Sequence, residues 1–335
     1  MARSNLSGYG DIQGYLPLRL RLSKWLQNEA GIHVSPEMII TTLGATQALD
    51  LALRLLIKPG DRVLIDEPGN GNLIKLIEQH GGVAIGVARL QEGPDLAEFK
   101  MRLEEMSVVA YVGNTTFHNP TGSTLRSSIA VKLLQLASEY RFRIIEDDVY
   151  GDFSLSGRRT LAELDGLNNV IYIGSFSKTV SASLRVGYLV CPEPLIEPIV
   201  RLKFITSVGV PSFCERFINT IMTDGSYRRH LSNLQQRLVK HQAQTQRALL
   251  QHGWRFDVVP DGGLSIWVHH PDLASLAPFA ERLRRHNVLL IPGGEFSAGR
   301  DYRRFSRINC AHFSKSVEGL FCVMPSDKGP EESSP

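Results

Sequence analysis

Short apolar runs alternate with longer segments of helical periodicity through the first two-thirds of the chain. Each run is bounded by Gly, Pro, Asn or Asp, which is typical of buried parallel strands. Around the runs, residues such as Leu49, Leu53 and Leu56 fall on one face of a helix. This alternation predicts an α/β domain with a mainly parallel sheet covered by helices on both faces. The predicted strands are 62–65, 108–112, 142–145 and 170–173.

The pattern changes after about residue 200. Tyr227, Leu231, Leu234 and Leu238 keep helical spacing and predict a long amphipathic helix. Three further β-rich runs predict the strands of a smaller α+β domain. We therefore expect a large domain over 1–205, a small C-terminal domain over 206–324 and a disordered polar tail over 325–335. The predicted strands of the small domain are 254–259, 264–268 and 288–291.

Composition excludes several classes of protein. The chain has 335 residues, of which 43% are apolar and 21% charged, which is typical of a globular protein with a sizeable core. Its net charge of +3 is too small to indicate binding to nucleic acid or to a membrane surface. We find no run of the roughly 18 apolar residues that a membrane helix needs and no secretion signal. Four scattered cysteines indicate reduced thiols, so we expect a cytoplasmic protein.

Polar side chains follow three of the predicted strands. Asn119 comes after the second strand, Asp147 and Tyr150 after the third, and Lys178 with flanking serines after the fourth. Ligands bind at the carboxyl ends of the strands in open parallel sheets, so we expect these groups to meet. A Gly-Ala-Thr turn at 44–46 begins the predicted helix that contains Leu49 and Leu53. The free N–H groups at the start of that helix suit a phosphate.

One cofactor, pyridoxal phosphate, needs all these groups together: a lysine for attachment, a carboxylate beside the pyridine nitrogen, donors to the ring oxygen and a phosphate cup. The segments SFSK at 175–178 and LRVGY at 184–188 resemble the signature of the fold-type I pyridoxal-phosphate-dependent aminotransferases of class I/II. The segments GYGD at 8–11 and DGSYRRHL at 224–231 are most similar to the aminotransferase-like domain of MocR-type regulators of the GntR family. The resemblance covers roughly residues 8–315, and it implies the same α/β fold.

The resemblance implies a role for each of these residues. Lys178 resembles the lysine that forms the internal aldimine and shuttles the proton between substrate and cofactor. Asp147 resembles the aspartate that keeps the pyridine nitrogen protonated. Tyr150 and Asn119 resemble the pair that bonds the ring hydroxyl. The residues that resemble the phosphate cup are Ser175, Arg185, Ala45 and Thr46.

Two further residues carry over from the resemblance. Tyr9 resembles the tyrosine that reaches the phosphate of the neighbouring subunit, which implies a homodimer with shared active sites and places 1–25 near the dimer interface. Arg307 resembles the arginine that binds the substrate α-carboxylate beside Asn119, a bidentate contact that suits a planar guanidinium. Arg303 and Arg304 compete with it for that role.

The acidic run at 146–148 has no histidine at ligand spacing, so we expect no metal site. Asn70 is a departure from the family, because it stands where an aromatic side chain usually stacks on the pyridine ring. The MocR-type branch also carries an N-terminal winged helix-turn-helix module, for which this sequence has no room before residue 8.

The leading interpretation is an aminotransferase that moves the amino group of an amino acid to a 2-oxo acid. The alternative is an effector-sensing, pyridoxal-phosphate-binding domain of a MocR-type regulator without its DNA-binding module, so that this chain itself binds no nucleic acid. A degenerate dimerisation domain is a third possibility. The sequence has no readable code for the amino donor, because the side-chain pocket comes from scattered loop residues.

Overall fold

The computed structural model describes residues 10–155 and 158–328. The strands are β1 (Ile39–Thr42), β2 (Arg62–Glu67), β3 (Val83–Leu90), β4 (Gly93–Pro94), β5 (Ala110–Gly113), β6 (Arg143–Asp147), β7 (Val170–Ser175), β8 (Gly187–Val190), β9 (Ser265–His269), β10 (Ile291–Pro292) and β11 (Phe305–Asn309). The helices are α1 (Leu16–Ala30), α2 (Ala45–Leu56), α3 (Gly71–Gln79), α4 (Leu96–Glu105), α5 (Ser127–Tyr140), α6 (Leu161–Asp165), α7 (Ile196–Ser207), α8 (Ser212–Thr223), α9 (Ser226–Gln251), α10 (Ala277–Arg285) and α11 (Lys315–Glu318).

Within those ranges, eight strands form one large sheet in the order β1-β8-β7-β6-β5-β2-β3-β4. The five central strands, β7-β6-β5-β2-β3, run parallel, whereas β8 is antiparallel to both of its neighbours and β4 is antiparallel to β3. The parallel order brings the carboxyl ends of β5, β6 and β7 side by side. The predicted α/β fold with a mainly parallel sheet is confirmed.

Helices cover both faces of the large sheet because successive strand residues point to opposite sides. In β6, for example, Ile144 packs with the cluster formed by α1, α4, α5 and the start of α9. Its neighbour Ile145 packs with α2, α3 and α7 on the other face. Buried on both faces, these strands carry the continuous apolar runs from which they are predicted.

A second, antiparallel sheet follows α9 in the order β10-β11-β9. Its core contains Trp254, which packs on Phe279 and Phe321 with ring centroids 5.1 and 5.7 Å apart. This sheet is the small C-terminal sheet of the predicted α+β part. The proposed domain boundaries at 205 and 324 stay predictions.

The structure differs from the predicted strands of the small sheet in three places. Residues 254–259 contribute a single bridge, between Arg255 and His269, because the side-chain amide of Gln91 bonds both the N–H and the carbonyl of Val259 at 2.8 Å. Of the predicted strand at 288–291 only Ile291 pairs with a neighbour, and the pairing continues to Pro292, outside that range. The strand Phe305–Asn309 was not predicted at all.

The predicted disorder of 325–335 is wrong for its first residues. Pro325–Lys328 form a 3₁₀ helix. Asp327 is buried there and accepts hydrogen bonds from Arg282 at 2.8 and 3.0 Å, so an ion pair holds this polar segment against α10. Residues 329–335 lie outside the described residues. No helix in the described part of the chain is long and apolar enough to cross a membrane.

Candidate active site

The carboxyl ends of three adjacent parallel strands bring the predicted side chains to one edge of the large sheet. Asn119 follows β5, Asp147 ends β6 and Lys178 follows β7. Asp147 pairs with Ile173 of β7, and Lys178 follows that strand, so both residues lie at the same end of two neighbouring strands. Burial raises the pKa of the Asp147 carboxyl group, and the positive charge of the exposed Lys178 opposes that rise. The order β7-β6-β5 in the sheet brings these strand ends side by side, as expected from the sequence, and the roles of the three residues stay predictions.

Asp147 is buried with one carboxylate oxygen, Oδ1, that has no hydrogen-bond partner among the described residues. Burial raises the pKa of Asp147 to about 6, while Asn114 and Lys178 oppose that shift. Asn114 donates its side-chain N–H to the main-chain carbonyl of Asp147 at 2.7 Å and so fixes the strand end. At neutral pH the carboxyl group is still largely ionised, and its buried Oδ1 has no donor among the described residues.

Arg307 and Tyr150 face the same site from different parts of the chain. Arg307, on β11, donates from Nη1 to Asn119 Oδ1 at 2.9 Å, and its Nε is buried without a partner among the described residues. Burial raises the pKa of Tyr150 to about 12, so its hydroxyl stays protonated and can donate a hydrogen bond. The negative charge of Asp147 also raises the pKa of Tyr150, and the positive charge of Arg307 lowers it.

The three neighbouring arginine candidates differ in their contacts. Arg303 pairs with Asp301 at 2.7 Å on the surface. Arg304 bonds the carbonyls of Leu273 and Pro271 at 3.2 Å. Only Arg307 of the three bonds Asn119, and this favours it for the carboxylate role.

A second cluster forms where α2 begins. Arg185 donates to the carbonyl of Leu43 at 2.8 Å and lies within 3.5 Å of Ser177 Oγ. Ser175 Oγ accepts the N–H of Ser177 at 3.1 Å, which orders the serine-rich turn. Gly44 has φ +78°, and a Cβ there would lie 2.7 Å from the Arg185 guanidinium, so only glycine leaves room for it. A guanidinium, hydroxyl groups and a helix N-terminus thus surround one position.

The predicted cup residues Ala45 and Thr46 lie in the first turn of α2, whose N-terminal end has no side-chain cap. The first N–H groups of a helix have no partner within it, so they are available to an anion. Ser177 and Asn114 complete the arrangement and were not predicted as site residues, whereas Gly44 was predicted as part of the turn at 44–46. Ser177 could have been found from its place in the SFSK segment. Tyr9 lies outside the described residues.

The three carboxylates of the acidic run at 146–148 face different parts of the structure and do not form one cluster. Glu146 accepts the N–H groups of Leu161 and Ala162 at 2.9 and 2.8 Å and so caps α6. Asp148 pairs with Arg158 at 2.9 Å. This leaves Asp147 alone to face the site.

Asn70 has a local structural role. Its side chain accepts the N–H of Asn72 at 3.2 Å and caps α3, which a tyrosine could not do. It borders a small cavity with Asn114, His118 and Asp147. The ring of Phe117 packs against Gly262 and Gly263 and belongs to the apolar cluster that contains Tyr150.

These residues fit pyridoxal phosphate. The buried Oδ1 of Asp147 lacks a donor, which a protonated pyridine nitrogen would supply. The basic cluster at the start of α2 suits a phosphate, and an exposed lysine on the adjacent strand end suits covalent attachment.

Comparison with known proteins agrees with this geometry. The family described as aminotransferase class I and II matches residues 1–320. The aromatic-amino-acid aminotransferase 1 of Thermococcus litoralis is 27% identical over 324 residues, or 93% of this chain and 78% of that protein. The uncharacterized HTH-type transcriptional regulator YdfD of Bacillus subtilis is 31% identical over 268 residues, or 78% of this chain and 55% of the regulator. The chain thus spans little more than half the length of that relative.

Among solved structures, the α-aminoadipate aminotransferase LysN from Thermus thermophilus, complexed with N-(5'-phosphopyridoxyl)-L-leucine, aligns with a TM-score of 0.86 and 26% identity. The alignment covers 96% of this chain and 82% of that one.

Proposed function

The chain belongs to the aminotransferase class I and II family and uses pyridoxal phosphate, and on that premise we propose that it transfers the amino group of an amino acid to a 2-oxo acid, with Lys178 as the catalytic lysine. The observation that carries this proposal is the unpartnered carboxylate oxygen of Asp147, buried at the strand end next to that of Lys178. A buried acceptor of this kind calls for a cationic donor, and the pyridinium nitrogen is one.

Each residue has a defined part in the proposed reaction. When bound, pyridoxal phosphate supplies an electron-accepting ring that stabilises negative charge at the substrate α-carbon. The carboxylate of Asp147 holds a proton on the ring nitrogen, and Tyr150 and Asn119 orient the ring hydroxyl. Lys178 moves the proton between the substrate α-carbon and the cofactor. Arg307 binds the α-carboxylate and so fixes which substrate bond faces Lys178.

The direct test is a half-reaction screen of the purified protein, loaded with pyridoxal phosphate, against a panel of amino acids. We expect conversion of at least one amino acid to its 2-oxo acid, and multiple turnovers when a 2-oxo acid acceptor is added. Release of no oxo acid from any member of the panel would contradict the proposal.

Arg307→Lys is expected to impair amino-acid recognition more than chemistry. A lysine ammonium cannot match the two parallel hydrogen bonds of a guanidinium, so we expect KM for amino acids to rise about 10- to 100-fold. Amines without an α-carboxylate should react as with the unchanged protein. Steady-state kinetics on both substrate classes checks this, with Arg304→Lys as the control because Arg304 bonds main-chain carbonyls away from Asn119. An equal loss for both classes would remove Arg307 from the carboxylate role.

We also propose that the protein acts as a homodimer. An apolar surface on α7 and α8, made of Phe204, Ile205, Val208, Phe213 and Phe217, supports this proposal. Ile205 and Phe213 are 70% and 71% exposed. Exposed apolar side chains that lie close together along the chain, as these do within residues 204–217, are typical of protein interfaces. Because Val208 lies in the turn between the two helices, the surface extends over that turn.

Phe213→Asp is expected to separate the subunits. A charge placed in an apolar interface has no partner, so we expect the dimer dissociation constant to rise at least roughly 100-fold. Size-exclusion chromatography with light scattering measures this. Leu289→Asp is the matched control, since Leu289 is 82% exposed but lies in the C-terminal part, away from α7 and α8. A Phe213→Asp protein that remains dimeric would place the interface elsewhere.

A second candidate function is favoured by the match to the regulator YdfD. In this interpretation the site binds pyridoxal phosphate and an amino compound and changes conformation without turnover. The two functions separate in the same screen, because a sensor would release no more than one equivalent of oxo acid per site when an acceptor is present.

The cytoplasm is the proposed location, and the four cysteines, all unpaired, support it.

A further inference from the structure

Glu67, the last residue of β2, is buried and binds a loop from the C-terminal part of the chain. The residue is only 4% exposed. One oxygen, Oε1, accepts hydrogen bonds from the hydroxyl of Ser297 at 2.7 Å and from the N–H groups of Ala298, Gly299 and Arg300 at 2.9, 3.1 and 3.0 Å. Four donors on one carboxylate oxygen form a strong, charge-assisted anchor.

The surrounding backbone is shaped to admit this carboxylate. A Cβ at Gly86, on the neighbouring strand β3, would lie 1.7 Å from Glu67 Oε2, so glycine leaves the space that the side chain fills. The N–H of Gly69 donates to the carbonyl of Phe296 at 2.8 Å, and a Cβ at Gly71 would lie 1.9 Å from the carbonyl oxygen of Glu295. The end of β2 and the 295–300 loop are therefore in direct contact.

This loop leads to Arg307. The ring of Phe296 is buried and lies 5.3 Å from the guanidinium carbon of Arg307, close enough for a cation–π contact. Trp267 supports the ring edge-on at 5.4 Å and pairs across the small sheet with Arg307. Glu67 thus fixes the loop, the loop fixes Phe296, and Phe296 borders the guanidinium that bonds Asn119.

We propose that Glu67 is a positioning residue that sets the orientation of Arg307 and thereby the selectivity for substrates with an α-carboxylate. The inference rests on the proposed function, since it takes Arg307 as the carboxylate-binding group. It assigns to the large sheet a part in substrate recognition that acts through the 295–300 loop. A released loop leaves Phe296 free to move, so the guanidinium samples orientations that do not match a carboxylate.

The main test is Glu67→Gln, which keeps the shape but removes the charge that holds three N–H groups. We expect KM for amino acids to rise about tenfold while kcat stays within about twofold, and amines without an α-carboxylate to be unaffected. The dissociation constant of an α-methyl amino acid, which has no α-proton to lose, should rise about tenfold as well. This binding is read from the visible absorption of the bound cofactor.

Two further variants keep the proposal falsifiable if Glu67→Gln folds poorly. Ser297→Ala removes one of the four donors and should raise KM about two- to threefold. Glu98→Gln is the matched control, because Glu98 bonds the side chain of Arg300 in the same loop at 2.6 and 2.7 Å and none of the loop N–H groups that Glu67 binds. The Arg300 guanidinium also lies 3.5 Å from Glu67 Oε2, so the control keeps that ion pair. It should leave KM unchanged.

Hydrogen exchange at the amides of residues 298–300 reports the loop itself. Faster exchange in Glu67→Gln with unchanged KM would overturn the proposal, because the anchor would then be structural only. If Arg307→Lys impairs amino acids selectively and Glu67→Gln does not, only this inference fails. If Arg307→Lys affects both substrate classes equally, the proposed carboxylate role fails first.

Discussion

Lys178→Ala is expected to abolish covalent retention of pyridoxal phosphate and to lower the rate of amino-group transfer by about 10⁴-fold or more. The variant loses both the amine that attaches the cofactor and the base that moves the α-proton. The protein is to be reduced with borohydride and mapped by peptide mass spectrometry, which locates the modified lysine independently of activity.

The control for this experiment is Lys240→Ala, since Lys240 is an exposed lysine on α9 far along the chain from the strand ends. The Lys240→Ala protein should carry the reduced cofactor on the peptide that contains Lys178. It should transfer amino groups at the rate of the unchanged protein. Attachment to another lysine in the unchanged protein would contradict the assignment, whatever the activity of the variants.

Asp147→Asn is expected to lower the rate of α-proton loss by roughly 10³-fold, because an amide cannot hold the ring nitrogen protonated. The exchange of the α-proton of an amino acid with deuterated solvent measures this step. Unchanged exchange in the variant would show that Asp147 does not have this part in the reaction.

The same variant has a second expected effect, on the cofactor-free protein. Burial raises the pKa of Asp147 from the ordinary 3.8 to about 6, so the folded state binds more protons than the unfolded state between these values. Ionisation therefore lowers the free energy of unfolding as pH rises through about 6, by at most about 3 kcal/mol. Asp147→Asn should stabilise the cofactor-free protein at pH of about 7.5, and the gain should vanish near a pH of about 4.

Denaturant unfolding at both pH values tests this expectation. Asp224→Asn is the control, since Asp224 is exposed and the hydroxyl and N–H of Ser226 lower its pKa. Asp224→Asn should change the free energy of unfolding only slightly at neutral pH, and it should lower it, whereas Asp147→Asn should raise it. A cofactor-free Asp147→Asn protein that is less stable than the unchanged protein at neutral pH would show that the carboxylate has a stabilising partner.

The strand-end residues could be predicted because buried parallel strands leave a strong sequence pattern. Each apolar run ends at a defined position, and the polar residue that follows, such as Asn119 or Asp147, must lie at the edge of the sheet. The resemblance to a known signature then assigned each a role. The phosphate-cup residues, Arg185 among them, were implied by that resemblance, whereas the start of α2 was predicted to suit a phosphate from its free N–H groups.

The small sheet was harder to predict, because its strands are short and carry charges. In β11 only Phe305 and Ile308 are apolar, three residues apart, and the strand comes just after Arg303 and Arg304, so the segment resembles a basic loop. Residues 254–259 are apolar enough for a strand, but the amide of Gln91 takes the hydrogen bonds of Val259. Such a long-range side-chain contact has no local sequence signal.

Glu67, in the active-site region, shows the same limit of prediction from sequence, because its contacts are long-range. It ends β2 as Asp147 ends β6, so its position was accessible from the sequence. Its partners are mainly backbone N–H groups more than two hundred residues later in the chain, and every residue except proline offers such a group. The identity of a carboxylate's donors therefore depends on tertiary structure.

The pairing of β1 with β8 has a consequence for how the protein is made. β1 lies at the edge of the large sheet, and β8, its neighbour there, is the last strand of that sheet to be synthesised. At roughly 5–20 residues per second, a growing chain exposes the start of α2 for on the order of ten seconds before β8 emerges. A Cβ at Gly187 would lie 2.7 Å from the backbone of Gly44, so β8 completes the turn that precedes α2. The residues predicted to hold the cofactor are therefore all in place only after the chain has been translated through β8.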